Sequence, residues 1–209
     1  MKRLTATLFA IVLISALFSS ASAQGLSGYG FKVGFNMANL SGDDVIEGTN
    51  SKMGFCLGGF VTYSLNEMIA LQPEVLYTMK GAKWEEEVFG ETLEITWTLD
   101  YLEIPILAKI AIPTQGTVKP NLFVGPALGI NLRGKAKAEL AGETEEVDIE
   151  DLKSTDFGLV FGAGVDFGLP HSAITVDGRY VMGLSTIDSS EEKADVKNAV
   201  MTFMVGYSF

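Results

Sequence analysis

The feature that most constrains this chain is an alternation of large apolar residues with small or polar residues at every second position. In residues 199–209, Phe203, Val205 and Tyr207 share one side of the pattern, and Thr202 and Gly206 share the other. Neighbouring side chains of a β-strand point to opposite faces, so this stretch predicts a strand with one strongly apolar face. Seven other stretches alternate in the same way: residues 29–38, 53–63, 69–78, 101–109, 121–131, 156–167 and 174–183. No stretch has a convincing helical period, so the predicted fold class is all-β.

Alternation alone does not decide which face lies inside, because a soluble lipocalin-like barrel would alternate as well. The second face of these stretches is crowded with glycine and other small residues instead of the Thr, Lys and Glu that suit a solvated strand. An eight-stranded barrel has an interior just wide enough for side chains to fill it. The sequence therefore predicts an eight-stranded antiparallel up-and-down transmembrane β-barrel, with small residues inside and large apolar residues facing lipid.

The connections between the predicted strands differ in length in a regular way. Those after the second, fourth and sixth strands are short, whereas the others are long and acidic: residues 41–51, 80–96, 133–153 and 187–197. Transmembrane barrels have short turns on the periplasmic side and longer loops outside the cell. Because the strand count is even, we expect both mature termini on the periplasmic side.

The first residues have the layout of a secretory signal peptide. Lys2 and Arg3 precede an apolar run at residues 8–18, and small residues end at Ala23. We expect a signal peptide at residues 1–23 and a barrel domain at residues 24–209, integral to the cell outer membrane. The formal charge of −11 argues against a nucleic-acid partner, since such partners are basic. Cys56 is the only cysteine, which excludes an internal disulfide and a multi-cysteine zinc site.

One break in the alternation precedes the fourth predicted strand. Leu93, Ile95, Trp97 and Leu99 occupy odd positions, while the apolar residues after them occupy even positions. This change predicts either a β-bulge near Asp100 and Tyr101 or a strand top that has left the apolar region.

The predicted inner face carries ionisable side chains of both signs. Charges away from water must be paired to be tolerated, so we expect an ion-pair network that holds the strand register, with Arg179 neutralising Glu74 and Glu103. The network comprises Lys32, Glu74, Glu103, Lys109, Asp166, Asp177 and Arg179. An ion path along these residues is the alternative. Glu74 and Glu103 also resemble an acid and base pair, but a filled lumen opens no cleft to them.

Other motifs predict no chemistry of their own. His171 is the sole histidine, and it falls in a turn on the periplasmic side, where a solvated histidine is expected. The glycines of "GAGVDFG" (162–168) precede no helix that could complete a phosphate site. The acidic stretches "KWEEEVFGE" and "GETEEVDIED" lack EF-hand spacing, so solvated loops are expected, with divalent bridging to lipopolysaccharide phosphates as the alternative. We predict no catalytic residue, no cofactor and no metal site.

Aromatic residues gather where the predicted strands end. Rings at headgroup depth form the girdles of transmembrane barrels. We expect such a girdle from Tyr29, Tyr63, Tyr77, Trp97 and Phe167.

Four sequence segments carry a resemblance to a known family: "GFKVGFNMANLSG", "LQPEVLY", "YLEIPILAK" and "DGRYVMGLSTI". In these the chain resembles the PorT-like family of small outer-membrane β-barrels from Gram-negative bacteria, across the whole mature length. The resemblance implies an eight-stranded outer-membrane barrel and says little about activity. It also implies that Tyr207 and Phe209 form a C-terminal assembly signal, read by the barrel-insertion machinery.

The expected function is therefore that of a non-enzymatic outer-membrane barrel whose acidic loops have a structural or surface-interaction role. Its expected partners are outer-membrane lipid, lipopolysaccharide and an unidentified surface or periplasmic protein. Two alternatives stay open, an accessory of a protein export or assembly machinery and a narrow pore.

Overall fold

A computed structural model describes residues 25–88, 90–190 and 194–209, so the predicted signal peptide lies outside the described residues. The described residues contain no helix long and apolar enough to span a membrane. They form nine strands: β1 (Leu26–Ser41), β2 (Asn50–Ser64), β3 (Ile69–Val88), β4 (Glu91–Ala111), β5 (Val118–Leu140), β6 (Glu143–Asp148), β7 (Thr155–Gly168), β8 (Ala173–Gly183) and β9 (Lys197–Ser208).

Eight of these strands close into an antiparallel ring. The sheet runs in the order β4, β3, β2, β1, β9, β8, β7, β5, and pairing between β4 and β5 closes it. The short β6 pairs only with one end of β5, from Lys135 to Leu140, and is therefore a hairpin arm outside the ring. The predicted eight-stranded up-and-down barrel is confirmed.

The two faces of the barrel differ as the alternation predicts. On β1, Phe31 and Val33 are about half exposed on the outside, while Lys32 and Asn36 are buried inside. Small residues on the inner face let the strands pack closely. For example, a Cβ atom on Gly125 would overlap the carbonyl oxygen of Ile106 on the neighbouring strand. The outer face is thus a band of large apolar side chains around a narrow lumen.

The two ends of the barrel have different connections. At the short-turn end, β2 connects to β3, β4 to β5 and β7 to β8 within a few residues. At the hairpin end, β3 and β4 stay paired as far as Val88 and Glu91, and Lys83 contacts Glu94 across the pair at 2.7 Å. Much of the segments predicted as loops at 80–96 and 133–153 is therefore β-sheet, because paired arms satisfy their own backbone hydrogen bonds beyond the apolar band.

The predicted bulge exists, but its extra residue lies on the neighbouring strand. The pairing of β4 with β5 shifts between Asp100, opposite Arg133, and Tyr101, opposite Asn131, which leaves Leu132 of β5 without a partner. The alternation of β4 itself is uninterrupted. Its odd residues therefore continue to face inward above the bulge, where they belong to an apolar interior.

Candidate functional site

Four side chains in the middle of the lumen form what we call the lumen ion cluster: Lys32, Glu74, Asp177 and Arg179. The Lys32 Nζ atom lies 3.1 Å from Glu74 Oε1 and 2.7 Å from Asp177 Oδ2. Arg179 Nη1 lies 2.6 Å from Glu74 Oε2, and Arg179 Nη2 lies 2.9 Å from Asp177 Oδ1. Each carboxylate contacts both cations, so the cluster is neutral and every charge is paired.

Strand register brings these residues together. β1, β3 and β8 contribute them, each from an inward-facing position. All four are at most 5% exposed, and the Phe60 and Phe123 rings lie about 5 Å from Lys32 and Arg179. The cluster therefore fills the lumen where the predicted ion-pair network was centred.

A second charged group lies nearer the hairpin end. Lys80 contacts Glu103 directly and lies 3.7 Å from Asp156, whose Oδ2 accepts a 2.9 Å hydrogen bond from Asn198 Nδ2. Glu103 therefore pairs with Lys80 and not with Arg179 as expected. Lys80 was missed because it was assigned to a loop. The signal was present, since Lys80 continues the even, inward-facing positions of β3 after Thr78.

The last predicted pair lies at the short-turn end. Lys109 Nζ is 2.8 Å from Asp166 Oδ2, and Asn121 Nδ2 donates to the same oxygen at 3.2 Å. The pair lines a cavity of about 440 Å³ at this mouth, which His171 also lines from an exposed turn position. The seven predicted lumen residues thus fall into three groups along the lumen.

The structure does not bring Glu74 and Glu103 together as an acid and base pair. Glu74 and Glu103 are each held by a lysine or arginine in separate groups. His171 lies at the opposite end of the barrel from the long hairpins. Among the described residues, no cluster of three or more His, Cys, Asp or Glu side chains suits a metal ion.

Above the second charged group, an apolar cap closes the lumen at the hairpin end. The apolar cap consists of Leu99, Tyr101 and Ile187, which are buried, with Leu152 and Val196 packed against them. The connection between β8 and β9 folds back to supply Ile187, whose N–H donates to the Val196 carbonyl at 2.8 Å. Ile187 also accepts from the Lys153 N–H at 2.8 Å. Loops and hairpin arms together therefore form the cap.

A cavity of about 520 Å³ opens on the outer side of the apolar cap, and we call it the hairpin-end cavity. Leu99 and Ile187 form part of its lining, and Trp97 lies beside them. Trp97 therefore faces inward and is not on the outer girdle, where the sequence interpretation placed it. The reason is the unbroken alternation of β4, which keeps odd residues on the inner side.

Most of the other predicted girdle residues lie at the short-turn end. Tyr29, Tyr63 and Phe167 are each more than 40% exposed on the outer face. The Phe209 ring stacks on Tyr29 at 5.5 Å and meets Tyr207 edge-on at 4.9 Å. Tyr77 lies on the outer face against Phe55, with ring centroids 5.6 Å apart.

The chain is similar to several solved structures. Neisserial surface protein A is 21% identical, with 88% of this chain and 98% of that chain covered and a TM-score of 0.52. OprG of Pseudomonas aeruginosa is 12% identical, covering 88% and 95%, with a TM-score of 0.44. Ail, the attachment invasion locus protein of Yersinia pestis, solved with the heparin analogue sucrose octasulfate, is 20% identical, covering 88% and 99%, with a TM-score of 0.41. No curated protein sequence matches the chain.

The chain also matches the profile of the outer membrane protein beta-barrel domain family over residues 18–189. It belongs to that family and is an integral outer-membrane β-barrel.

Proposed function

We propose that this outer-membrane barrel is a non-enzymatic, non-conducting protein that acts at the cell surface through its hairpin end. We place the short-turn end in the periplasm and the long acidic hairpins outside the cell. The asymmetry of the connections supports this orientation, because outer-membrane barrels have short periplasmic turns and longer external loops. The narrower resemblance to PorT-like barrels stays a prediction.

The observation that carries the proposal is the double closure of the lumen. The lumen ion cluster and the apolar cap each fill it with buried side chains. A hydrated ion crossing the barrel would have to break the pairs around Glu74 and then displace Leu99 or Ile187. Water-filled channels are a property of much larger barrels. The hairpin end, by contrast, offers extended arms and an open cavity for interaction.

Conductance recordings of the purified barrel in planar bilayers test the proposal. We expect no stable open-channel currents from the native protein. Stable currents would refute the closed-lumen function and favour the narrow pore. Crosslinking in living cells addresses the other alternative, because a defined periplasmic partner at the short-turn end would favour a role in an export or assembly machinery.

We also infer that Tyr207 and Phe209 are read by the barrel-insertion machinery. Both rings lie where β9 meets β1, and the Phe209 N–H donates to the Tyr29 carbonyl at 2.8 Å. If the ring has only a girdle role, Phe209→Ala should cost at most about 1.5–3 kcal/mol and leave insertion intact. We expect instead that fractionated cells hold the variant in the periplasm, and normal amounts in the outer membrane would refute the signal.

A further inference from the structure

We propose that the hairpin-end cavity binds a small amphipathic cation, a molecule with an apolar body and a positively charged head group. The proposal deepens the surface function above and depends on it only in that the hairpin end faces outside the cell.

The size and lining of the hairpin-end cavity suit the apolar body of such a ligand. Its volume of about 520 Å³ falls within the usual range of ligand sites, about 300–1,000 Å³. Trp97, Leu99 and Ile187 form its inner part, and Ala136 lines it from β5. Ile46 and Val147, which also line it, are more than half exposed, so apolar surface here remains open to the outside.

The negative charge around the hairpin-end cavity favours a positively charged head group. Four aspartates from three segments of the chain line it, and none of its described lining residues is a lysine or arginine. They are Asp44, Asp148, Asp151 and Asp188. Because the described lining carries carboxylates and no cation, the rim attracts a cation and repels an anion.

One of these carboxylates is available to a ligand. The Asp44 carboxylate accepts from the Asp195 N–H, and the Asp188 carboxylate accepts from Ser190 and Ala194. Asp148 and Asp151 are exposed, and no lysine or arginine of the described chain lies within ion-pair distance of either carboxylate. Asp148 lies opposite Lys135 across the β5–β6 pair, so its side chain shares the face of that lysine and not the face of Val147, which lines the cavity. We therefore assign the head-group contact to Asp151.

Trp97 supplies a direct readout of binding. The chain has two tryptophans, so Trp84→Phe leaves Trp97 as the only fluorescent indole. The barrel carrying this substitution is placed in nanodiscs of zwitterionic lipid and titrated with 4-(4-bromophenyl)butylammonium, whose bromine quenches a tryptophan that it contacts. The alcohol and the carboxylate with the same bromophenylbutyl body serve as neutral and anionic probes.

We expect saturable quenching of Trp97 by the ammonium probe, with a Kd at least about tenfold lower than that of the carboxylate probe and below that of the alcohol. Asp151→Asn should weaken the ammonium probe to within about threefold of the alcohol. The matched control, Glu145→Gln, removes one charge from β6 outside the cavity lining and should change the Kd less than about twofold.

Ala136→Phe, which places a ring in the hairpin-end cavity, should abolish saturable quenching by all three probes. Equal affinity for the three probes, or an equal loss in the two charge variants, would overturn the assignment. The same applies if none of the probes quenches Trp97 saturably. Such a result in a barrel that also conducts no ions would refute the ligand site and leave the proposed surface function standing.

Discussion

The same lumen is closed at two levels by opposite means, and the comparison shows what each kind of closure depends on. In the lumen ion cluster, Glu74 and Arg179 are positioned by strand register alone. In the apolar cap, Leu99 comes from a strand, but Ile187 and Leu152 come from connections that fold back over the lumen. The first closure belongs to the barrel itself, whereas the second depends on its loops.

The largest expected effect tests the lumen ion cluster. Arg179→Ala leaves Glu74 and Asp177 with Lys32 as their only cation, and removing one partner of a buried pair costs about 3–5 kcal/mol. We expect a much lower unfolding temperature for the whole barrel, measured by heat modifiability on gels and by circular dichroism. Glu145→Ala, on an exposed position of β6, is the control and should have almost no effect.

A double substitution sharpens this test. Arg179→Met combined with Glu74→Gln removes one positive and one negative charge together, so the remaining Lys32 and Asp177 still pair. It should destabilise the barrel less than the sum of the two single changes. Additive losses would mean that the two side chains are not energetically coupled.

A smaller and more local effect is expected in the apolar cap. Leu99→Ala removes buried methyl groups next to a cavity, and such changes cost about 2–5 kcal/mol. We expect the lower part of that range, with faster hydrogen exchange in residues 184–190 and unchanged protection near Glu74. Leu140→Ala, at an exposed strand end, is the matched control. Equal exchange changes at both levels of the lumen would contradict the independence of the two closures.

The smallest expected effect is a pH dependence of the loop that supplies Ile187. Hydrogen bonds from the Ser190 hydroxyl and N–H, at 2.6 and 3.0 Å, hold the pKa of Asp188 below its ordinary value of about 3.8. A lowered pKa in the folded state stabilises the fold above the unfolded pKa. This contribution is lost as the pH falls through the folded pKa.

Ser190→Ala should therefore loosen this loop by less than about 1 kcal/mol at neutral pH, because the carboxylate lies near the surface. The difference from the native protein should vanish in strong acid, and hydrogen exchange of residues 184–190 measures it. A difference that is the same at neutral and strongly acid pH would show that the Asp188 charge plays no part.

The lumen ion cluster was largely predictable from the sequence, whereas the apolar cap was not. Lys32, Asp177 and Arg179 could be assigned to the lumen because a period of two fixes the side on which each residue lies. Lys80 obeyed the same rule, but the acidic residues after it led to its assignment to a loop. Alternation also predicted the shift at Asp100 and Tyr101, while only the pairing shows that Leu132 is the extra residue.

The apolar cap and the hairpin-end cavity could not be predicted in this way. Ile187 and Leu152 lie in irregular segments, whose direction depends on tertiary packing and not on a repeating pattern. Trp97 was assigned to the outer girdle because it lies near the predicted end of a strand, where aromatic residues gather. The alternation of β4 is in fact unbroken. After Asp100 its apolar residues are those that face outward, whereas before Asp100 its apolar residues are those that face an apolar interior.

The lumen ion cluster also affects how the barrel folds, because its contacts are long-range in the sequence. Its contacts join residues that are 42, 105 and 145 positions apart in the chain. Contacts of such sequence separation form slowly, because long loops must close before they are made. β1 must also meet β9 before the ring is complete, so these charges stay hydrated until that step. Burial of the charges and closure of the ring should therefore occur in one late, cooperative kinetic phase of folding.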